Sequence, residues 1–255
     1  MGIEYNENKV LKYPNTHMLE YIGKTLLIEE GKMRTLVIGD LHLGYEESMR
    51  KNGVLIPAGM YVEMRKEFDL IFARIGNVDK IVILGDLKHS FGEISGEEWR
   101  ESLGLFDYLL GKCEEIVVVK GNHDAIIGPI AGKRGIKVVD YLIIGEYAFV
   151  HGDRDFEEVY DKKIKTWVMG HAHPAIVISD GTKKEKYKCF LYGEYRGKKI
   201  IVLPSFFPLI EGTNVNDVDD GKELGLAWDF DLSRFKVWVV NDLDVLDFGE
   251  LEKIK

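Results

Sequence analysis

One local pattern recurs five times along this chain: a short apolar run leads to a glycine flanked by residues that can bind metal ions. The five copies are TLVIGDLH (35–42), KIVILGDLKH (80–89), IVVVKGNHD (116–124), YAFVHGD (147–153) and WVMGHAH (167–173). Each run is rich in β-branched or aromatic residues, has the length of a strand and ends in turn-forming residues. Because the runs are continuously apolar rather than alternating, we expect strands that are buried on both faces.

The segments between these strands predict helices. Residues 58–75 and 97–111 carry apolar residues at three-and-four spacing, and Gly111 is placed to cap the second helix. Strands that alternate with helices indicate an α/β fold. The last third of the chain differs, because IIVLPSFF, GLAWDFDL and FKVWVV are typical of successive strands with little helix between them. We therefore expect residues 190–240 to be the strand-rich half of a single domain that spans residues 1–255.

Polar side chains follow the predicted strands and are expected to meet at one edge of the sheet. The carboxyl ends of strands in α/β proteins carry the loops that bind ligands, and six of the seven histidines fall in the five repeated units. The candidate metal ligands are Asp40, His42, Asp86, Asn122, His151, His171 and His173. Seven mixed nitrogen and oxygen ligands exceed the needs of one transition metal, but they suit two ions that share a carboxylate.

A carboxylate such as Asp86, shared between two cations, implies a specific chemistry. Two metal ions roughly 3.5–4 Å apart clamp the attacking and leaving oxygens of a phosphoryl displacement, and water between them ionises near neutral pH. We therefore expect a metal-bridging hydroxide to attack phosphorus in line. Taken singly, each residue has a plainer explanation, because Asn122 and Asp124 are turn formers and glycines often end strands. The fixed order of all five units favours the metal site.

The ordered motifs GDLH, GDLKH, GNHD, HGD and GHAH resemble those of the calcineurin-like metallophosphoesterase superfamily, and the resemblance extends from Asp40 to His173. It implies an α/β fold of the four-layer αββα type, with two mixed β-sheets flanked by helices. It also implies that one metal ion is held by Asp40, His42, Asp86 and His173, and the other by Asp86, Asn122, His151 and His171. For the nuclease branch of the superfamily the implied ion is manganese, with iron, zinc or nickel as alternatives.

Two further histidines have catalytic roles that the resemblance implies. His123 matches the family's catalytic histidine, which stabilises the phosphoryl oxygens or protonates the leaving oxygen. His89 stands where most members have an aspartate, and GDLKH is similar to the GDLFH of the SbcD-type nuclease branch and its small archaeal relatives. We expect His89 to pair with His123 in place of that carboxylate. Asp124 is expected at the outer edge of its loop, as a turn cap or a support for the neighbouring imidazole.

The spacing of the motifs departs from that of the large nucleases of this branch. Only 28 residues separate Asn122 from His151, and about 80 residues follow His173. The large nucleases have a long insertion before the HGD-like motif and a DNA-binding cap after the core. We therefore expect no separate DNA-binding cap domain. The compact arrangement is also similar to the DNA-ligase-associated phosphoesterases of bacteria.

The charge pattern leaves the substrate open. The formal net charge is −9, whereas proteins that track DNA by charge alone are usually basic. Solubility explains an acidic balance, and so does a cluster of acidic metal ligands. Residues 183–199 (KKEKYKCFLYGEYRGKK) hold seven Lys/Arg and two Glu, which is typical either of a nucleic-acid contact or of a solvated β-hairpin. Residues 211–223 (EGTNVNDVDDGKE) are expected to form an exposed acidic loop that can overhang the site.

The remaining features favour a cytoplasmic protein. The two cysteines, Cys113 and Cys189, form no CxxC pair, which favours a reducing compartment. The amino-terminal sequence lacks the apolar core of a secretory signal. The longest apolar runs have the length of strands rather than of membrane spans, so no membrane partner is expected.

Three functions are consistent with these observations. The leading one is a two-metal phosphodiesterase or nuclease whose substrate is DNA, another nucleic acid or a nucleotide, with a DNA-repair protein as a candidate partner. The alternative is a small-molecule phosphodiesterase or phosphatase, which the acidic balance and the expected lack of a cap favour. The third is a non-catalytic scaffold on the same fold. Such scaffolds lose the histidine of GNHD, which is present here as His123.

Overall fold

The first of two β-sheets contains eight strands that lie side by side in their order along the chain. The computed structural model describes residues 4–5, 10–12, 17–56, 59–179 and 181–254. The strands are β1 (Glu4–Tyr5), β2 (Val10–Lys12), β3 (His17–Ile22), β4 (Thr25–Glu30), β5 (Met33–Ile38), β6 (Val78–Ile83), β7 (Cys113–Val119) and β8 (Lys137–Val139). Strands β1 to β5 form an antiparallel meander, whereas β5 to β8 pair in parallel. The sheet is therefore mixed, as predicted.

The described residues between the strands of the parallel half form four α-helices. They are α1 (Tyr45–Lys51), α2 (Met60–Ile75), α3 (Gly96–Leu110) and α4 (Gly128–Gly132). Helices α2 and α3 correspond to the two predicted helices, with residue 58 outside the described residues. Helix α3 begins with a capping box, in which Ser95 Oγ accepts from Glu98 N and Glu98 Oε2 accepts from Ser95 N. It ends at the predicted cap, Gly111.

The second sheet is built from the carboxyl-terminal half of the chain. Its strands are β9 (Tyr141–Ile144), β10 (Tyr147–Val150), β11 (Thr166–Met169), β12 (Pro174–Ser179), β13 (Lys184–Tyr195), β14 (Lys198–Val202), β15 (Thr213–Asn214), β16 (Lys236–Asn241) and β17 (Asp244–Glu250). The order is β15-β12-β13-β14-β11-β10-β9, and β16 pairs with both β13 and β17. Strands β10, β11 and β14 pair in parallel and most other neighbours are antiparallel. Their carboxyl ends therefore reach the same edge.

The two sheets pack face to face through a buried apolar layer that draws on both of them. Tyr21 of the first sheet contacts Phe190 and Trp238 of the second, with ring centroids 4.6 and 5.4 Å apart. Fully burying side chains of this size stabilises the fold by about 1.5–3 kcal/mol each. The four helices cover the outer face of the first sheet through a second apolar cluster that includes Phe68 and Phe106. The predicted sandwich of two mixed sheets is confirmed.

The outer layer of the second sheet differs from what the sequence predicts. Residues 225–232 (GLAWDFDL) are expected to be a strand, but they follow an irregular path. Their described β-pairing is an isolated bridge between Asp231 and Asp220. Trp228 and Phe230 nevertheless pack onto the sheet. Alternate residues are buried because the extended segment lies flat on an apolar surface, so the pattern mimics a strand without a ladder. One-turn 3₁₀ helices, such as Glu157–Tyr160, complete this layer.

Within the described part of the chain, no helix is both long and apolar enough to cross a membrane. The amino-terminal stretch, in which no secretory signal is expected, lies mostly outside the described residues.

Candidate metal centre

The candidate ligands lie where strands of both sheets end. Strands β5, β6 and β7 of the first sheet end at Ile38, Ile83 and Val119, and β10 and β11 of the second end at Val150 and Met169. The polar residues of all five repeated units follow within a few positions. Because the sheets face each other, loops from both converge on one edge. The structure brings the seven predicted ligands together there.

One group of ligand atoms comes from Asp40, His42 and His173, which lie close enough to hold one cation. His173 Nε2 is 3.0 Å from Asp40 Oδ1 and 3.3 Å from His42 Nε2. The side chains of Asp40 and His42 are buried, while His173 is 18% exposed. The site therefore opens to solvent on the His173 side.

The second group contains Asp86, His151 and His171. His151 Nε2 lies 3.4 Å from Asp86 Oδ2, 3.1 Å from His171 Nδ1 and 3.1 Å from Asn122 Oδ1. Asp86 Oδ2 also lies 3.8 Å from His42 Nε2 of the first group. Asp86 is thus positioned between the two groups, as a shared carboxylate would be.

The hydrogen bonds behind these rings fix which nitrogen faces the centre. His151 Nδ1 donates to the Leu84 carbonyl at 2.6 Å, and His171 Nε2 donates to the Gly225 carbonyl at 3.1 Å. A carbonyl oxygen only accepts, so both nitrogens carry the hydrogen in the neutral ring and the inward nitrogens present lone pairs. These two inward nitrogens are 3.1 Å apart. Lone pairs that face each other so closely need a proton or a cation between them.

The spacing of the donors fits a transition-metal ion. For metal–nitrogen bonds of about 2.0–2.1 Å, two ligands of one ion are separated by roughly 3.0–3.4 Å. The inward nitrogens of His151 and His171, and those of His42 and His173, lie at 3.1 and 3.3 Å. The donor set of imidazole nitrogens with carboxylate and amide oxygens suits manganese, iron or zinc. The residues present therefore fit metal ions in both groups.

Backbone strain is concentrated at these ligands. Among the described residues other than glycine, six have positive φ angles, and four of these are His42, Asp86, His171 and His173, with φ of 43°, 45°, 64° and 45°. The other two, in the turns after β13 and β16, have an ordinary explanation. A positive φ costs a side-chain-bearing residue about 1 kcal/mol or more and persists where the surroundings enforce it, commonly at functional sites. Turning the strand ends in this way aims the ligand side chains at one point.

The glycines of the motifs permit the close approach of the ligand loops. A Cβ atom on Gly121 would lie 2.2 Å from Asp86 Oδ1, and one on Gly170 would lie 2.5 Å from Asp40 Oδ2. Neither distance leaves room for a methyl group. Gly121 and Gly170 are therefore required for contact between neighbouring loops, beyond their role in ending a strand.

Asp124 occupies a different place from the one predicted. It is fully buried rather than at the outer edge of its loop. Its carboxylate accepts from Leu87 N at 3.1 Å and from Gly121 N at 3.2 Å. It therefore caps its own turn, as expected, and also ties the GNHD loop to the GDLKH loop. Burial, with the charge of Asp86 nearby, raises the pKa of Asp124 to about 6.

The charges of the centre balance one another. Burial opposes ionisation of Asp40, but His173, His151 and His42 hold its pKa well below the usual range. Burial lowers the pKa of His42 to about 3. His151 is the exception, because the carboxylates of Asp86 and Asp40 outweigh its burial and raise its pKa to about 10. Without cations, His151 therefore carries a proton that balances the carboxylates, and a bound metal ion would displace it.

His123 and His89 lie beside the metal ligands and contact each other. The side chain of His123 is 15% exposed, and its Nδ1 donates to the backbone carbonyl of His89. The two rings stack with centroids 5.5 Å apart, while His89 Nδ1 faces His42 Nδ1 at 3.4 Å. His89 therefore contacts His123 through its backbone carbonyl and by ring stacking rather than through a ring nitrogen. The carbonyl fixes the His123 tautomer and leaves Nε2 for a substrate.

A loop that sequence analysis did not assign to the site supports Asp40. Residues 200–207 (IIVLPSFF) were expected to be a strand, but β14 ends at Val202. Ser205 Oγ and Phe206 N then donate to the Asp40 carbonyl at 3.1 and 2.9 Å. Pro204, which cannot donate to a strand ladder, is the signal that could have ended the predicted strand.

Two lysines hold this loop from behind. Lys24 Nζ donates to the Phe206 carbonyl at 2.7 Å, and Lys188 Nζ donates to the Ser205 carbonyl at 2.7 Å. Glu67 pairs with Lys24 at 2.6 Å. Burial holds the pKa of Lys188 well below its usual range. These residues lie outside the five repeated motifs, and only the tertiary structure shows their connection to the centre.

The basic segment 183–199 forms the hairpin of β13 and β14, one of its two predicted interpretations. Its turn at Arg196 and Gly197 lies at the far end of the sheet from the metal centre, because Lys199 pairs with Thr166 at the start of β11 and the ligands follow the end of β11. Lys186 Nζ, nearer the centre, donates to the Gly212 carbonyl at 2.7 Å.

The loop 211–223 lies beside the ligands, as expected. Gly212 approaches the backbone of His173, and Thr213 N donates to the His173 carbonyl at 2.8 Å. Val215 is fully buried, so the loop is only partly exposed.

A fold of two facing mixed sheets, with aspartate, asparagine and histidine ligands where their strands end, is that of the metallophosphoesterases. The family model for calcineurin-like phosphoesterases matches residues 33–245. The chain therefore belongs to the calcineurin-like phosphoesterase family, whose members depend on metal ions.

Similar folds occur among solved structures. The nuclease MPE of Pseudomonas putida superimposes with a TM-score of 0.63 at 17% sequence identity, over 94% of this chain and 98% of that chain. Vps29 of Entamoeba histolytica in complex with zinc has a TM-score of 0.39 at 17% identity, over 84% of this chain and 99% of that chain. A predicted phosphoesterase of Streptococcus pneumoniae has a TM-score of 0.31 at 16% identity, over 85% of this chain and 97% of that chain. The first likeness supports the fold. No match was found among curated proteins.

Proposed function

We propose that this protein is a two-metal phosphodiesterase that cleaves nucleic acid or nucleotides. The observation that supports it is the placement of Asp86 between two groups of ligand atoms, each of suitable spacing for a cation. In the proposed assignment Asp40, His42 and His173 complete one site. The other is completed by Asn122, His151 and His171.

Two divalent cations, when bound, lower the pKa of water to supply a nucleophile near neutral pH and neutralise charge on the phosphate. The chain's own residues supply the rest. His123 presents Nε2 to the substrate, because its Nδ1 is committed to the His89 carbonyl. Only the ring protonated on both nitrogens has a hydrogen at Nε2; in that form it donates to the phosphoryl oxygens or gives this proton to the leaving oxygen, and the neutral ring keeps its hydrogen on Nδ1. His89 supports His123 by stacking and through its carbonyl rather than by exchanging protons.

The test is hydrolysis of a substrate panel with manganese, containing single- and double-stranded oligonucleotides, cyclic nucleotides and bis-p-nitrophenyl phosphate. We expect oligonucleotide cleavage that EDTA abolishes. His123→Ala should lower kcat by at least about 100-fold while binding manganese normally, whereas Asp86→Ala should lose metal. Asp247→Ala, in an exposed part of β17, is the matched control for the aspartate and should behave as the parent. Failure to hydrolyse any member of the panel would contradict the proposal.

A second candidate is hydrolysis of a small phosphodiester or phosphomonoester. It is supported by the position of the basic segment, which is poorly placed to bind nucleic acid. The turn of its hairpin is remote from the centre, and the ammonium groups of Lys186 and Lys188 bind backbone carbonyls. These groups are thus less available for a nucleic-acid backbone than the sequence suggests. Cleavage of cyclic nucleotides or bis-p-nitrophenyl phosphate, with oligonucleotides left intact, would favour this candidate.

The scaffold alternative predicts metal binding without turnover.

A DNA-repair partner remains part of the nuclease proposal. Affinity capture with the metal-loaded protein tests for this partner, and Asp86→Ala is the control. A cytoplasmic location and a single domain without a DNA-binding cap are part of the same proposal. Limited proteolysis tests the domain organisation, because a single domain should yield no stable fragment.

A further inference from the structure

An exposed phenylalanine covers the proposed catalytic histidine. Phe91 is 68% exposed, and its ring centroid lies 3.8 Å from that of His123, with 32° between the ring planes. Phe248, the other phenylalanine among the exposed large hydrophobic residues of the described chain, is 38% exposed. One face of the Phe91 ring therefore lies against His123, while much of the ring remains open to solvent. A large apolar group left in water beside a reactive site is a candidate for ligand contact.

The loop that carries Phe91 is held at both ends. Glu98, which is fully buried, accepts from Ser90 N at 2.7 Å and from Ser95 N at 2.8 Å. Lys88, also fully buried, donates from Nζ to the Ser90 carbonyl. The exposure of Phe91 is therefore built into a loop whose ends are fixed to the start of α3. Such anchoring limits the entropy lost when a ligand contacts the ring.

Phe91 ends a row of aromatic rings that starts inside the protein. Tyr45 packs edge-on against His89 with centroids 4.7 Å apart, and His89 stacks with His123 at 5.5 Å. Phe207 contacts Tyr45 from the other side at 5.4 Å. The row leads from the Asp40-supporting loop, past the proposed catalytic histidine, to the surface at Phe91. It supports the Phe91 ring from below.

We infer that Phe91 is a specificity-determining residue that stacks on a nucleobase of the substrate while the adjoining phosphodiester occupies the metal centre. The inference rests on the proposed function and deepens it, because it names a nucleobase-bearing phosphodiester as the substrate. The exposed face of the Phe91 ring next to His123 is a flat π-surface, on which any nucleobase can stack regardless of sequence. Stacking also needs no basic groups, which agrees with Lys186 and Lys188 of the basic segment being bound to carbonyls.

The test compares phosphodiesters that differ only in their bases. Thymidylyl-(3′→5′)-thymidine is set against analogues in which one or both thymidines are replaced by an abasic sugar, with manganese present. Phe91→Ala should raise KM for the dithymidine by at least about fivefold, the lower end expected for loss of one stacked base. It should leave KM for the fully abasic diester unchanged. The singly abasic analogues show which nucleoside meets the ring.

Two variants make the comparison specific. Phe91→Trp keeps a stacking surface and should restore the parental KM, whereas Phe248→Ala removes an exposed phenylalanine outside the site and should change nothing. An equal loss of kcat on all substrates in Phe91→Ala would overturn the inference, because Phe91 would then only support His123. If the parent cleaves none of the substrates, the proposed function fails.

A binding measurement decides the inference even without hydrolysis. Phe91→Trp and Phe248→Trp, each loaded with diamagnetic zinc, are titrated with thymidine 5′-monophosphate and with deoxyribose 5-phosphate while tryptophan fluorescence is recorded. Stacking should quench the tryptophan fluorescence of Phe91→Trp when the nucleotide is added but not when deoxyribose 5-phosphate is added. The fluorescence of Phe248→Trp should not change with either ligand. Equal responses of Phe91→Trp to the two ligands would overturn the stacking role.

Discussion

Replacing Gly121 with alanine should displace the shared carboxylate of the metal centre. An alanine Cβ would lie 2.2 Å from Asp86 Oδ1 and 2.4 Å from Asp86 N, whereas ordinary contacts begin near 3.4 Å. The φ angle of Gly121 is not positive, so steric overlap rather than backbone strain governs the effect. The overlap requires a shift of about 1 Å in one of the two loops.

That shift acts on two proposed functions of Asp86 at once. Asp86 Oδ2 lies between the two ligand groups, and its Oδ1 accepts from His123 N at 2.9 Å. Overpacking of this kind destabilises a protein by about 1–3 kcal/mol. Misplacement of reacting groups by about 1 Å costs on the order of 100-fold in rate. We therefore expect a modest loss of stability with a large loss of metal affinity and activity.

The assay combines manganese titration calorimetry, hydrolysis of bis-p-nitrophenyl phosphate and urea unfolding in EDTA. Gly96→Ala is the matched control, because Gly96 lies in α3 without a positive φ and a Cβ there meets no atom within 4 Å. It should bind metal as the parent does and gain about 0.4–1 kcal/mol of stability. Parental manganese affinity and stoichiometry in Gly121→Ala would refute the reasoning from loop contact.

Three further predictions concern charge and packing. Manganese binding at pH 8 should release about one proton from His151, because the carboxylates raise the pKa of His151 to about 10. Titration calorimetry in buffers of different ionisation enthalpy measures this proton release. Equal binding heats in all buffers would contradict the prediction. Burial and nearby Glu97 raise the pKa of Glu101 to about 7. The ionised carboxylate is disfavoured in the folded protein, so the stability that Glu101 contributes is full below its ordinary pKa of 4.5 and is lost as pH rises through 7. Glutamine does not ionise, so Glu101→Gln should raise the Tm of the metal-free protein at pH 8 but not at pH 4.5. Phe68→Ala removes a fully buried ring stacked on Phe206 with centroids 4.2 Å apart, and urea unfolding should show a loss of about 3–5 kcal/mol, with a loss under about 1 kcal/mol counting against it.

The strands that carry the ligands could be predicted because local chemistry defines them. Continuous apolar runs such as 81–84 and 116–119 are buried on both faces, and each is followed within two residues by a glycine and a polar residue. The segment 225–232 has equally clear alternation but forms no ladder. Alternation reports that one face is buried and cannot report whether a neighbouring strand is available for pairing.

The individual contacts within the site could not be predicted in the same way. Asp124 follows a turn-forming pattern, yet it is buried because the GDLKH loop lies over it. His89 stacks on His123 but gives it a backbone carbonyl rather than a ring nitrogen. These choices depend on ångström-scale offsets between loops that are 34 to 37 residues apart in sequence.

The sequence by itself determined the α/β class and the seven candidate ligands, because strand-forming runs and their terminal residues are local properties, while the sandwich of two sheets was implied by the resemblance to a known family. The resemblance already implied that those ligands divide into two groups around Asp86, whereas only the tertiary structure decided how Lys188 supports the loop behind Asp40. It also decided that Phe91 lies exposed over His123. These contacts join segments that are remote in sequence and meet where the two sheets pack together. The distance between two such segments cannot be read from the sequence of either segment alone.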